Sequence, residues 1–70
     1  MENMVLRGRM AEKGISQRDL AKRIHMSENA LAAKIKGLRS FRVSEVIAVC
    51  EILEISDPAE QALIFLKQSS

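Results

Sequence analysis

Seventy residues allow one domain with a modest core and a thin margin of stability. One cysteine, Cys50, excludes an intramolecular disulfide. With a single histidine and no tyrosine or tryptophan, the chain offers no nucleophile–base–orienter set for an enzyme and no ligand set for a metal or other cofactor. The net charge of +2 hides an asymmetry. Residues 1–42 hold ten Lys/Arg against four Asp/Glu, and residues 43–70 one against five, so either one face meets a polyanion or the two halves compensate within an ordinary bundle.

In chain order, periodicity and punctuation predict five helices and no strand. The first runs from about Asn3 to Lys13 and stops at Gly14; Leu6 and Met10 share its face, and Gly8 weakens it. The second opens at Ser16, an N-cap, with Asp19 in its first turn and Leu20, Ala21 and Ile24 as its buried stripe. The third is capped by Ser27 and closed by Gly37. Glu28 at its front and Lys34 and Lys36 in its last turn complement the helix dipole, while Leu31 and Ile35 point inward. A loop, residues 38–42, carries Arg39, Ser40, Phe41 and Arg42. The fourth helix spans about Val43 to Glu54, with Val46, Val49, Cys50 and Leu53 at helical spacing and Ile47 widening the stripe. Cys50 reads as a small buried hydrophobe. The fifth helix, 58–67, has Asp57 as N-cap, Pro58 at the first position and Glu60 completing a capping box. Its apolar body exceeds what one core face needs. Only residues 68–70 read as a loose tail. The longest apolar run, residues 62–66, is too short to span a bilayer, and the first residues lack the apolar core of a signal peptide, so a soluble, cytoplasmic protein without a membrane partner is expected.

The break near His25-Met26 forces helices two and three into a sharp angle. Two short helices so joined are the pattern of a helix-turn-helix, whose second helix enters the major groove by its N-terminal end. Three alanines smooth that second helix, residues 28–36, and small side chains let a helix sit deep against the bases.

The run SQRDLAKRIHMSENALAAKIKG, Ser16 to Gly37, resembles the helix-turn-helix of the phage Cro and repressor family, also called the Xre family, through Ser16-Gln17, Leu20-Ala21, Ile24, Ser27, Leu31 and Gly37. The next stretch, Phe41 to Ser56, resembles the following helix in small phage-type regulators of Gram-positive bacteria. The likeness covers roughly residues 4–56. It implies an all-α, five-helix lambda-repressor-like domain spanning residues 1–70, with the helix-turn-helix at 17–36. Two departures stand out. His25 occupies a turn position where the family carries glycine and where φ is commonly positive, at a cost of about 1 kcal/mol. Met10 and Ile35 replace an arginine–acid pair of the family by an apolar contact.

The resemblance further implies which residues meet double-stranded DNA. Glu28, Asn29, Ala32 and Ala33 form the base-facing set. Asn29 suits adenine, the alanine methyls suit thymine, and Glu28 either accepts from cytosine N4 or serves only its own helix N-terminus. Gln17, Arg18, Ser27, Lys36, Arg39, Ser40 and Arg42 form the phosphate set, with Phe41 anchoring the loop; such contacts set affinity and register. Arg7, Arg9, Lys22 and Arg23 are expected on solvated faces. One copy offers few base contacts, so a homodimer is expected. Helix five is its surface: Ala62, Leu63 and Leu66 turn inward, and Ile64 and Phe65 are partly available to the partner. The function expected is operator binding and repression, Cro-like and of phage or prophage origin, with no small-molecule substrate. The alternative is an antitoxin-like protein-interaction module on the same fold.

Overall fold

Four of the five helices begin where a short polar side chain takes an otherwise unsatisfied amide. The computed structural model describes residues 3–65, and over them the chain forms α1 (Met4–Lys13), α2 (Gln17–Arg23), α3 (Glu28–Ile35), α4 (Val43–Leu53) and α5 (Pro58–Phe65). The Asn3 side-chain oxygen accepts from the Leu6 amide at 3.1 Å, Ser16 Oγ from Asp19 at 3.1 Å, Ser27 Oγ from Ala30 at 3.1 Å and Asp57 Oδ1 from Ala59 at 3.0 Å. The exception is α4. Its N-cap, Arg42, has no acceptor in its side chain, and Glu45 instead reaches back to accept from the Arg42 amide at 2.8 Å.

The helix ends share one device. Gly14, His25, Gly37 and Glu54 all adopt left-handed backbone, with φ of 66°, 57°, 85° and 56°. Each is followed by a residue whose amide reaches back over the helix end: Ile15 to the Met10 carbonyl, Met26 to Ala21, Leu38 to Ala33 and Ile55 to Cys50, at 2.9–3.0 Å. This is the Schellman closure, which satisfies the last carbonyls and turns the chain sharply. Two of the four ends therefore use a side chain where glycine is the relaxed choice. Replacing His25, whose imidazole is exposed and makes no hydrogen bond among the described residues, by glycine is expected to stabilise the fold by about 0.5–1 kcal/mol. A thermal melt reads this as a rise of a few degrees; a lower melting temperature would mean that the imidazole stabilises the turn.

The core is one cluster. Leu6, Leu20, Leu31, Ile35, Val49 and Leu53 are fully buried, joined by Met10, Ala21, Cys50, Ile55 and Ile64. α2 packs on α3, and α1 reaches both α4 and α5. Asn3 is the point where three helices are tied. Its amide donates to the Ile35 carbonyl at the end of α3 (2.7 Å), and its side-chain nitrogen donates to the Ile64 carbonyl of α5 (2.7 Å).

Several expectations are corrected by burial. Ile47 does not widen the core stripe of α4; it is 54% exposed, as is its neighbour one turn earlier, Val43, at 77%. Glu60 completes no capping box but bonds Arg9 of α1. That contact turns the Glu60 side of α5 toward α1, and Ile64, one turn on along the same face, follows it into the core. Ile64 is thus 1% exposed and unavailable to a partner, whereas Leu63, expected inward, is 55% exposed. Phe65 is half-buried, its ring set edge-on to Phe41 at 5.4 Å. Leu66 and Lys67, which the sequence reading assigns to this helix, lie outside the described residues. No helix among the described residues is long and apolar enough to cross a membrane.

Candidate nucleic-acid interface

The break between α2 and α3 is only four residues long, 24–27, and it is closed by the His25 turn at one end and the Ser27 cap at the other. α3 then has a sharply divided surface. Its buried residues are Leu31, Lys34 and Ile35. At about 100° per residue, the direction opposite their mean carries Asn29, Ala33 and Lys36 in one line, with Ala32 beside it. Asn29 and Lys36 are exposed, and Ala32 and Ala33 are half-buried. Glu28 is exposed at the first turn and stands to one flank of that line. Of the four residues expected to face bases, Asn29, Ala32 and Ala33 therefore share the outward strip.

The expected phosphate residues surround this strip along the chain. Arg18, Ser27, Lys36, Arg39, Ser40 and Arg42 are exposed and Gln17 is half-buried. Gln17, the first residue of α2, accepts through Oε1 from Arg7 Nη2 at 3.5 Å. A guanidinium only donates, so the amide oxygen is the acceptor here, and the Gln17 NH2, a donor, makes no hydrogen bond among the described residues. Ser27 Oγ spends one lone pair on its cap, and its hydroxyl hydrogen remains free to donate. Phe41 packs against the core and on Phe65, which seats the loop between Gly37 and Arg42.

Ion pairing sorts the cations. Arg9 pairs with Glu12 and Glu60, and Lys13 with Glu54, where the ammonium holds the Glu54 carboxyl below its ordinary range. Arg7 and Arg9, expected on solvated faces, are instead half-buried against other parts of the fold. Arg18, Lys22, Arg23, Lys36, Arg39 and Arg42 are exposed and enter no salt bridge among the described residues. On α1, Arg9 and Lys13 are thus paired with acids, whereas on α2, at the end of α3 and in the following loop the exposed cations outnumber the exposed acids Asp19 and Glu28. Such a concentration attracts a polyanion.

Lys34 departs from the sequence reading. It stands in the last turn of α3 as expected, but it also has a partner the sequence did not suggest: its side chain is 5% exposed, and Nζ donates to Glu45 Oε1 at 2.5 Å. The same oxygen receives the Arg42 amide. Burial pushes the Glu45 carboxyl up, but the Arg42 amide, the Lys34 hydrogen bond and the charges of Lys34 and Arg42 together outweigh it and hold the carboxyl below its ordinary value. Burial, with a smaller contribution from the charge of Glu60, pushes the Cys50 thiol up, as suits an inert core residue. Half of this arrangement had a signal in the sequence: Glu45 stands three residues after Arg42, the N-cap of α4, at capping-box spacing.

Comparison with known proteins adds the family. A family model described as the Cro/C1-type HTH DNA-binding domain matches residues 5–60, most of the chain. No curated protein and no solved structure matches it.

Proposed function

From the premise that this chain belongs to the Cro/C1-type helix-turn-helix DNA-binding family, we propose that it is a repressor of phage or prophage origin that occupies an operator with α3 in the major groove. DNA binding in transcription regulation is the family's role; repression, origin and the assignment of reading residues are the proposal. The observation that supports it is the pairing of an outward strip of small side chains on α3 with exposed cations on α2, at the end of α3 and in the loop that enter no salt bridge among the described residues.

In this reading Asn29 takes a base edge by a bidentate amide contact, while Ala32 and Ala33 keep the helix close and meet thymine methyls. Glu28 either accepts from cytosine N4 or only favours the helix N-terminus. Gln17, Arg18, Ser27, Lys36, Arg39, Ser40 and Arg42 hold the phosphates on either side. So few base contacts call for two copies on half-sites about 34 Å apart. Among the exposed apolar side chains, those this reading offers to a second copy are Leu63 of α5 and Val43 and Ile47 of α4, with Phe65 at the margin; Met4 and Val5 of α1 and Leu38 of the loop are exposed as well.

Two substitutions test the roles. With a duplex chosen from random sequence as probe, Asn29→Ala is expected to relax preference at one base position, at a cost of about 1–3 kcal/mol for the preferred base. Arg39→Ala is expected to weaken all duplexes alike and to flatten the salt slope by about 1. For the wild type, six neutralised phosphates per dimer give a slope of log K against log salt of about −5. Identical effects from the two variants would overturn the assignment.

A further inference from the structure

We propose that Lys34, Glu45 and the Arg42 amide form a positioning bracket that holds the recognition helix and the cationic loop in one register. The inference rests on the DNA-binding reading above and goes beyond it, because none of the three groups is assigned a contact with DNA through these atoms.

The arrangement is unusual for a core position. Lys34 lies on the inner face of α3 with Leu31 and Ile35, both fully buried. An apolar side chain there would fill the same space without the desolvation of an ammonium group. What an apolar side chain cannot do is take a directional bond. Glu45 Oε1 is the common acceptor of Lys34 Nζ (2.5 Å) and the Arg42 amide (2.8 Å), so one oxygen joins the underside of α3 to the first turn of α4. Between them runs the loop with Arg39 and Ser40. Among the described residues, that loop is otherwise fixed only by the Gly37 and Leu38 amides at its start and by the Phe41 ring near its end. Without the bracket, α3 and the loop would keep their own structures but lose their mutual setting. Base contacts from α3 and phosphate contacts from the loop would then compete rather than add. The bracket is a positioning device, not a DNA contact.

The test compares two exchanges in the full chain. Lys34→Met with Glu45→Leu replaces the bracket by apolar packing; Glu45→Gln keeps an oxygen that accepts from both donors. The readouts are the melting temperature and the ratio of affinities for a selected duplex and a scrambled duplex of equal length. The apolar pair is expected to melt within a few degrees of the wild type while its ratio falls by about 10- to 100-fold. Glu45→Gln is expected to hold the ratio within about threefold. A folded apolar pair with an unchanged ratio overturns the bracket, as does a Glu45→Gln loss as large as that of the pair. If the apolar pair fails to fold, Lys34→Met alone carries the comparison, and an unchanged ratio again overturns it. A wild type that prefers neither duplex overturns the DNA-binding reading itself and the bracket with it.

Discussion

Glu45→Ala is expected to destabilise the domain by about 3–5 kcal/mol, because it strands the Lys34 ammonium in the core without its acceptor. The domain's whole stability is of the same order, at about 0.05–0.15 kcal/mol per residue, so a large fraction of the variant should be unfolded at 25 °C. Urea titration followed by circular dichroism measures it; a midpoint close to that of the wild type would mean that water reaches Lys34 and satisfies it. The bracket also has an acid limb. The folded-state pKa of Glu45 lies below the ordinary 4.5, so the stability it contributes is fully present above that value and is lost as pH falls through the depressed pKa. The exposed Glu54 shifts in the same direction beside Lys13 and adds little. Melting temperature should therefore change little between about pH 8 and pH 5 and drop below that, and Glu45→Gln should shallow the drop.

The second large effect concerns α5. Ile64→Ala is expected to cost about 2–5 kcal/mol through loss of buried methyls and the cavity left behind, whereas Leu63→Ala, at a position 55% exposed, should change the stability of a single copy by less than about 0.5 kcal/mol. Protein concentration separates the roles further. Loss at Ile64 should be the same at micromolar and at hundred-micromolar concentrations, because its partners lie within its own chain. Leu63→Ala should matter only where copies associate, seen as a shift in sedimentation at high concentration. A loss at Ile64 that disappears on dilution would return it to the interface between copies.

These two cases show where the sequence was sufficient and where it was not. The helix starts were legible because Ser16, Ser27 and Asp57 act locally, each on an amide two or three residues away. Gly14 and Gly37 marked their helix ends for the same reason, and the family's glycine pattern pointed to positive φ at His25. Glu54 carried no such mark, since glutamate is a poor signal for left-handed backbone. The inner face of α3 was legible at Leu31 and Ile35 but not at Lys34. Its burial depends on Glu45, eleven residues on, which periodicity within one helix cannot detect. The same holds for Arg9, taken up by Glu60 of α5, and for Asn3, which was read as the start of the first helix and is instead its N-cap, bonded also to Ile35 and Ile64. On α5, apolar residues on almost every side left the inward direction undetermined until Glu60 met Arg9.

In α3, the side chains that hold the helix, Leu31, Lys34 and Ile35, are different from those that face outward, Asn29, Ala32 and Ala33. Two of the outward three are half-buried methyls that make no polar contact. If α3 reads bases as proposed, exchanges at Ala32 and Ala33 would alter the reading strip without touching Leu31, Lys34 and Ile35, so target choice could drift there while the fold stays put.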